Sequence, residues 1–418
     1  MEYIRGKCKA TPEDAISILP EGVITNILDC LPIQDAVGTS ILSRKWRYKW
    51  TALTQLVFDD NFVEQFRRGS DFIQYGRIIS RLLLHIRGNI RKFVLYMPYC
   101  YYSRMDFEDI NNWIMLLSTK GIRELTLINM HAEPFELSTH LLSCTDLKHL
   151  TLQNCYLRHM TIFCGFPNLL ELEFNRVRFK DSKIGELITS CTFLEVLKLN
   201  TAKRTGNIVK LFEIAKLQNL KLLSLTLYGL DNLAFTASDI FQLMASLRKL
   251  QTLALDFENF KFMEENTAGK RALSALPSLK SLSLWNLNLS SRSMVIFAFD
   301  LIQFSPNLQT LKIMAEYQYP PWLVPLTSLE VESFIMGNLK RLQIVEYGSI
   351  IDSEIELCLI KSLLANCSLL KKMVIYCDKS RHRSSYLLHL ADKLLAFPRA
   401  SPIATMNLKD DCDRPKAT

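Results

Sequence analysis

Side chains that could bind a metal occur together once, in residues 149–164. His149, Cys155, His159 and Cys164 lie close in the sequence, and imidazole nitrogen and thiolate sulfur are common zinc ligands. Their spacing is not that of a zinc finger, and His149 and Cys155 fall where the side chains of a repeated strand are expected anyway. We therefore predict no metal site and no cofactor.

Residue patterns typical of catalysis are also missing. The sequence contains no GxSxG, HExxH, P-loop or GxGxxG motif, each of which would position a nucleophile, a metal or a phosphate. The neighbouring carboxylates Glu264 and Glu265 lie in a charged stretch and are expected to be solvated. We predict no catalytic residues, so the chain is expected to act by binding rather than as an enzyme.

Composition restricts the class further. Of 418 residues, 49% are hydrophobic and 22% are charged, which is typical of a folded protein. The formal charge of +8 is spread along the chain and does not indicate nucleic acid as a partner. The 11 cysteines form no CxxC pair and favour reduced thiols. With neither a signal peptide nor a membrane-spanning stretch, we predict a cytoplasmic or nuclear protein, or one found in both compartments, that does not act at a membrane.

The elements that would present a binding surface begin at residues 16–50. Pro20 suits the first turn of a helix, and Pro32 ends that helix. Asp35 can cap a second helix and Ser43 a third, which would carry Trp46 along one side. The first helix has an apolar stripe at three- and four-residue spacing, formed by Val23, Ile24, Ile27, Leu28 and Leu31. The three predicted helices carry more apolar side chains than they can hide from one another, which predicts a protein partner.

The same stretch resembles a plant F-box. The resemblance rests on Asp14, Ile16, Ser17, Leu19, Pro20, Ile27, Leu28, Leu31, Pro32, Asp35, Ala36, Val37, Thr39, Ser40, Leu42, Ser43, Arg44, Trp46 and Trp50. It implies docking on a Skp1-like adaptor and, through that adaptor, on a cullin ubiquitin ligase. The residues expected to divide between the module's core and the Skp1 interface are Leu19, Pro20, Ile24, Ile27, Leu28, Leu31, Val37, Leu42 and Trp46. The sequence does not say which residue has which role.

A second pattern fills the rest of the chain. The phrase Leu-x-x-Leu-x-Leu, with substitutions, starts at residues 122, 147, 169, 194, 220, 250, 279, 308, 339 and 370, and a plausible first copy starts at 90. Each phrase alternates apolar and polar residues, as a strand does, and helix-like pieces lie between the phrases. The pattern is similar to leucine-rich repeats, whose stacked copies share one core. The asparagine expected three positions after the last apolar site is mostly absent, which predicts an irregular array.

The C-terminal part resembles the FBD region that follows F-box and leucine-rich repeats in one plant family, with a match at FPRASP, 397–402. We thus predict an α/β protein: a three-helix F-box, an open and irregular leucine-rich-repeat solenoid, and a C-terminal α/β FBD region. The predicted boundaries are 1–13 for a flexible N-terminus, 14–58 for the F-box, 59–336 for capping helices and repeats, 337–411 for the FBD region and 412–418 for a tail.

A candidate substrate surface follows from the strand pattern. The residue after the third apolar site of each phrase should face the open side of the sheet. In the last four copies this residue is apolar or aromatic: Trp285, Met314, Val345 and Tyr376. Exposed apolar patches are typical of binding surfaces, so we predict that a protein substrate docks there. The alternative is that the C-terminal region folds over these four residues and buries them.

Together these patterns predict the substrate-recognition subunit of a Skp1–cullin–F-box ubiquitin ligase, whose target protein the sequence does not identify. Two alternatives remain open. One is a hormone-like small-molecule co-receptor of the same architecture, and the other is a protein-binding scaffold that never enters a ligase.

Overall fold

The computed structural model describes residues 19–64, 72–99, 107–157, 165–179, 184–200, 209–227, 236–258, 260, 276–316, 339–348, 350, 354–377 and 384–410. The chain divides into two compact units, Met1–Leu157 and Arg158–Thr418. The predicted tails, 1–13 and 412–418, lie outside the described residues. Each unit contains a parallel sheet with one helix-bearing connection after most strands.

The first unit combines short N-terminal helices with the first strands of the repeats. Its elements are α1 (Glu21–Asp29), α2 (Ile33–Gly38), 3₁₀ turns at Thr39–Ile41 and Lys49–Ala52, β1 (Gln55–Phe58), α3 (Asp60–Glu64), α4 (Phe72–His85), β2 (Lys92–Met97), α5 (Phe107–Ser118), β3 (Glu124–Asn129), β4 (Phe135–Leu137), a 3₁₀ turn at Thr139–Ser143, β5 (His149–Gln153) and β6 (Cys155–Leu157).

The predicted third helix of the N-terminal module does not form as an α-helix. Residues 39–52 instead make 3₁₀ turns joined by tight turns. The bonds are of the i to i+3 kind: Trp46 N donates to Ser43 O, and Lys49 N donates to Trp46 O, both at 3.1 Å. A segment this short gains little from an α-helix of its own, so the burial of Trp46 and Leu53 decides its path. Pro20 is the N-cap of α1 and not a residue of its first turn. Pro32 follows α1 as predicted but is also the N-cap of α2, so Asp35, the predicted cap, lies inside that helix.

The sheet of the first unit already begins at the end of the N-terminal module. β1 pairs with β2, β2 with β3, and β3 with β5, all in parallel. Leu56, Phe93, Leu125 and Leu150 lie side by side in this register and are all buried. Residues 53–58, LTQLVF, are therefore an additional copy of the repeat phrase, which the sequence analysis had assigned to the end of the F-box. The predicted boundary after residue 58 falls directly behind this strand.

Two buried asparagines connect the turns that follow β3 and β5. The Asn129 side-chain amide donates to the carbonyl oxygens of Glu133 and Asn154, both at 3.0 Å. The Asn154 amide donates to His131 O at 2.6 Å. Both residues lie two positions after the last apolar site, one position before the site where regular repeats carry asparagine. Their amides donate to backbone carbonyls of both turns and so hold the two turns together.

The second unit continues the strand–connection pattern. Its elements are β7 (Glu171–Asn175), β8 (Arg178–Phe179), α6 (Ile184–Ser190), β9 (Val196–Asn200), α7 (Leu211–Ile214), β10 (Leu222–Thr226), α8 (Ala237–Ser246), β11 (Thr252–Asp256), β12 (Ser281–Asn288), α9 (Arg292–Gln303), β13 (Thr310–Glu316), β14 (Ile344–Gly348), α10 (Glu354–Asn366), β15 (Lys372–Cys377), α11 (Ser384–Leu395) and β16 (Thr405–Asp410).

One parallel sheet runs through this unit in the order β7, β9, β10, β11, β12, β13, β14, β15, β16. Its core includes a row of fully buried side chains, one from each successive strand: Leu253, Leu282, Leu311, Val345 and Met373. A single strand could not bury its leucines alone, and stacking supplies the missing neighbours. The C-terminal region joins this stack through β14, β15 and β16, which confirms an α/β continuation of the repeats. The helix predicted at 355–365 is α10.

Candidate protein-interaction site

The first helix of the N-terminal module exposes one apolar row while it buries another. Ile24 and Leu28 are only 2% and 1% exposed and pack inside the module. On the adjacent face Val23, Ile27 and Leu31 are each at least 40% exposed. Because each is four residues from the next, they lie on one face of α1 and its C-terminal turn. Helix α1 is therefore apolar on two sides, and its own chain covers only one of them.

Further large apolar side chains are exposed in the same module. Ile41 and Leu42 are 87% and 67% exposed, and Leu19 is 36% exposed. Single exposed apolar residues are ordinary, but this number within residues 19–42 is typical of a contact surface. These residues, together with Val23, Ile27 and Leu31, are named here the F-box apolar surface.

The structure divides the residues that the sequence analysis assigned jointly to core and Skp1 interface. Leu19, Pro20, Ile27, Leu31 and Leu42 are exposed, and Val37 is half-buried. By contrast, Ile24, Leu28 and Trp46 are buried within the module. Val23 and Ile41, which the predicted set does not include, are exposed as well. Val23 belongs to the apolar stripe of the first helix, which carries more apolar residues than one buried face can accommodate.

The module is held to the sheet by a carboxylate at the end of α1. Asp29 Oδ1 accepts from the backbone N–H groups of Thr54 and Gln55, at 2.9 and 3.2 Å. Its other oxygen accepts from the Thr54 hydroxyl at 2.7 Å. Thr54 O in turn accepts from Arg91 N at 2.7 Å, at the start of the strand-to-strand ladder. Within the module itself, an ion pair between Glu21 and Lys49 joins the start of α1 to the 3₁₀ turn that precedes β1. The F-box apolar surface is therefore fixed relative to the sheet of its own unit.

The predicted substrate column needs correction at Val345. Its neighbours in the sheet are Leu311 and Met373, so Val345 is a fully buried core residue. The phrase that forms β14 starts at Leu342, three residues later than the sequence analysis placed it. Leucine occurs at both 339 and 342, so the hexapeptide fits either register, and only pairing with β13 selects one. Tyr347, which is also buried, occupies the third apolar site.

The other three residues of that column do not form an exposed patch either. Met314 and Tyr376 are 4% and 3% exposed, which favours the alternative that they are covered. On β15 the side chains of both faces are buried, since Val374 is as inaccessible as Met373. Trp285 alone of the four is half-buried. It lies on β12 opposite Asp256 of β11, and the Asp256 carboxylate accepts a hydrogen bond from the Asn286 amide at 2.8 Å. The strand face around it is mainly polar, with Ser281, Ser283 and an ion pair of 2.9 Å between Lys312 and Glu346.

Most thiols of the described residues are buried and therefore expected to react slowly. Cys144, Cys155, Cys191, Cys358, Cys367 and Cys377 are buried, and Cys30 is exposed. Burial raises the pKa of the Cys144 and Cys367 thiols to about 12, and it also raises the pKa of Cys155 and Cys191. Among the described residues, no group of three or more His, Cys, Asp or Glu side chains is arranged to hold a metal ion. His159 and Cys164, like Glu264 and Glu265, lie outside the described residues.

Comparison with known proteins identifies both parts. Residues 16–54 match the F-box domain family, and residues 110–224 match the family described as FBD-associated F-box protein At5g56370, LRR repeats. The F-box/FBD/LRR-repeat protein At1g13570 of Arabidopsis thaliana is 28% identical over 421 residues, which cover 95% of this chain and 99% of that relative. The F-box/LRR-repeat protein At1g06630 of the same plant is 28% identical over 414 residues, covering 87% and 98%.

Among solved structures, an internalin of Listeria monocytogenes aligns with 84% of this chain and 98% of its own, at 14% identity and a TM-score of 0.41. In the described part of this chain, no helix has both the length and the apolar character needed to cross a membrane.

The module and the strand array thus define the chain as an F-box protein with leucine-rich repeats. Over most of its length it is similar to plant F-box/FBD/LRR-repeat and F-box/LRR-repeat proteins. Neither matched family description names a catalytic activity, and proteins of this class are generally non-catalytic adaptors for protein interactions.

Proposed function

We propose that this chain is the substrate-recognition subunit of a Skp1–cullin–F-box ubiquitin ligase. In this role the F-box binds a Skp1-like adaptor, which connects to a cullin, and the repeats bind a protein that is to be ubiquitinated. The observation that carries the proposal is the F-box apolar surface, which is exposed on a module whose own core is already complete. A partner must cover this surface to remove it from water.

Burial of the F-box apolar surface would contribute favourably to such a contact. Full burial of a leucine-sized side chain contributes about 1.5–3 kcal/mol. For a side chain that is already more than half covered, about 1 kcal/mol remains to be gained. Leu19, Val23, Ile27 and Leu31 would together supply about 4 kcal/mol in the new contact, before Ile41 and Leu42 are counted. This surplus offsets part of the entropy lost on association.

The way in which the F-box is attached to the sheet suits the role of a spacer. Asp29 bonds the end of α1 to Thr54 and Gln55, at the start of β1. An adaptor seated on the F-box would therefore hold this sheet in a defined orientation. Ubiquitin transfer depends on keeping target and transferring subunit close together, and a short, bonded junction keeps the effective concentration high. The reaction itself would be carried out by other subunits.

For the target, the proposal retains only Trp285 of the predicted column. It lies half-buried on a polar strand face, where a large aromatic ring can anchor a partner while the serines and the Lys312–Glu346 pair form hydrogen bonds around it. Met314, Val345 and Tyr376 are left out because they are buried.

The test is co-purification after co-expression of the full chain with a plant Skp1-like protein and a cullin. We expect the wild type to retain both partners. Replacing Val23, Ile27 and Leu31 together by alanine should abolish retention, and so should the Leu19→Ala/Pro20→Ala pair. Retention of the Skp1-like protein by both variants would falsify the assignment.

A matched control is available in the same unit. Leu84 and Met115 are also exposed apolar residues, 81% and 46%, but they lie on α4 and α5 rather than in the F-box. The Leu84→Ala/Met115→Ala variant removes comparable apolar surface and should retain both partners. If this control variant also loses the Skp1-like protein and the cullin, the loss of retention in the F-box variants reflects a general change in solubility. If the wild type retains a Skp1-like protein but never a cullin, the scaffold alternative replaces the ligase.

A further inference from the structure

Three exposed cations lie side by side along one edge of the sheet in the first unit. Arg91, Arg123 and Lys148 each precede a strand, β2, β3 and β5 respectively. Their backbones are directly bonded: Arg123 N donates to Arg91 O at 2.8 Å, and Lys148 N donates to Arg123 O at 2.7 Å. Neighbouring strands are about 4.8 Å apart, so the three side chains emerge in one short row. We call Arg91, Arg123 and Lys148 the basic row.

The basic row is not neutralised within the described part of the chain. None of its three side chains forms an ion pair or a hydrogen bond among the described residues. The nearest carboxylates along the chain are Glu124, which pairs with Lys92 at 3.2 Å, and Asp146, an exposed residue. Like charges directly opposite each other on adjacent strands repel, so the row is unfavourable by itself.

The same positions in the second unit show that the fold does not require such a row. There the residues that precede successive strands are Glu195, Lys221, Gln251, Lys280, Gln309, Gln343 and Lys371, joined by the same backbone bonds. No two cations are adjacent in this series. Lys221 is paired with Glu195 at 2.7 Å, and Lys280 lies 3.4 Å from the Gln251 side-chain oxygen. An uninterrupted row of cations is therefore a property of the first unit and not of the repeat.

We propose that the basic row is a docking site for an acidic helical segment of a protein partner. Side chains at positions i, i+3 and i+4 of a helix are about 5–6 Å apart, close to the spacing of the row. A helix with glutamates or aspartates at these positions can lie across the strand ends and present one carboxylate to each cation. Binding removes the mutual repulsion of the row, and the two arginines can form bidentate contacts with carboxylates.

Its neighbours favour an acidic protein over a nucleic acid. Proteins that bind single strands combine cations with exposed aromatic rings on which bases stack. Within two positions of each row residue, Phe93 is the one phenylalanine, tyrosine or tryptophan, and it is buried in the core, while the imidazole of His149 is half-buried. The row also starts next to Thr54, the last residue of the F-box match, so a partner held by the F-box could supply the segment.

The test uses the full chain and a fluorescein-labelled helical peptide of alternating Glu and Ala turns, with glutamates four residues apart. Fluorescence anisotropy at about 0.05 and 0.15 M salt should show binding that weakens with salt, because exposed charges are screened over about 10 Å. In the Arg91→Gln/Arg123→Gln/Lys148→Gln variant the loss of three exposed ion pairs should weaken binding about tenfold. The Arg91→Lys/Arg123→Lys variant keeps the charge and should retain most of the affinity.

A control variant makes the same change in charge at the same repeat position. Lys221→Gln/Lys280→Gln/Lys371→Gln removes three cations that are not adjacent, and it should alter peptide binding by no more than about twofold. Equal loss in both triple variants would mean that net charge, and not the row, binds the peptide. Unchanged binding in the first triple variant would overturn the proposal. A thermal melt checks that each variant is folded, and if the triple variant is not, Arg123→Gln alone should weaken binding about threefold.

An oligothymidylate of equal net charge gives the remaining comparison. We expect it to bind more weakly than the peptide at each salt concentration. Tighter binding of the oligonucleotide, lost in the Arg91→Gln/Arg123→Gln/Lys148→Gln variant, would assign the row to nucleic acid and refute an acidic protein segment as its occupant.

Discussion

Replacing Asp29 should loosen the attachment of the F-box to the sheet without weakening the binding of a Skp1-like adaptor. Its carboxylate accepts three hydrogen bonds, two from Thr54 and one from Gln55, and thereby holds the end of α1 against the start of β1. The Asp29→Ala change removes all three bonds. It leaves the F-box apolar surface in place, since that surface belongs to other residues. We expect the junction to loosen while adaptor binding persists.

The size of the effect follows from the geometry. A hydrogen bond contributes about 1 kcal/mol net, and more with a charged partner when it is buried. The bonds to Thr54 are partly buried and the bond to Gln55 is exposed. We assign about 1 kcal/mol to each of the first two and about 0.5 kcal/mol to the third. The sum of about 2.5 kcal/mol corresponds to an increase of about 70-fold in the opening equilibrium of the junction.

Hydrogen exchange measured by mass spectrometry on the full chain can follow this opening directly. The amides of Thr54 and Gln55 are the donors, so their exchange should accelerate by up to about 70-fold in Asp29→Ala. Thr54→Val, which removes only the hydroxyl bond, should accelerate exchange by about fivefold. Asp29→Asn retains an acceptor oxygen and should fall between these two. Co-purification of a Skp1-like protein should be unchanged in all three variants.

Two results would refute this reasoning. Exchange at residues 54 and 55 that stays within about twofold of the wild type in Asp29→Ala would mean that packing alone holds the junction. Loss of the Skp1-like protein in Asp29→Ala, with the repeats still folded, would mean that the junction and the F-box apolar surface are not independent.

The register of β14 and the state of the thiols give two further predictions. Val345→Asp should prevent stable folding of the second unit, because it places a charge in the core. Trp285→Ala should change the melting temperature of the second unit by no more than about 2 °C and should weaken target binding. Equal melting temperatures for the two variants would instead favour the register in which the repeat phrase starts at Leu339. At neutral pH iodoacetamide should modify Cys30 quickly and Cys144 and Cys367 slowly, as peptide mapping would show. Burial raises the folded-state pKa of Cys144 and Cys367 from 9.0 to about 12. The stability that these thiols contribute is therefore complete below pH 9.0 and declines as the pH rises toward 12. Denaturant titrations at several pH values would measure this decline, and equal free energies of unfolding at about pH 9 and 11 would contradict it.

Local patterns in the sequence were sufficient for the strands of the array. Alternating leucines predict strands, and their repetition predicts a shared core, because a strand's apolar face is visible in its own residues. The F-box was equally evident, since its prolines and apolar stripe are contained within residues 16–50. The same locality explains the omission of β1. The phrase at 53–58 is an ordinary repeat, but its position directly after the F-box favoured assignment to that module.

The divided roles of the F-box residues could not be derived from the sequence. Val23 and Ile24 are adjacent, of similar shape and equally apolar, yet one is 42% exposed and the other 2%. The difference depends on which face of α1 meets the rest of the module. That choice is made by the end of α1, where Asp29 bonds to Thr54, a residue 25 positions away.

The sequence by itself determined that this chain is a stack of strands preceded by a small apolar module, because hydrophobic period and residue type act over a few neighbouring positions. Only the tertiary structure decided the register of β14, the burial of Met314 and Tyr376, and the alignment of Arg91, Arg123 and Lys148 into one row. These features depend on pairing between segments about 25–35 residues apart, and hydrogen bonds between strands, not local preference, select one register among several that the sequence allows.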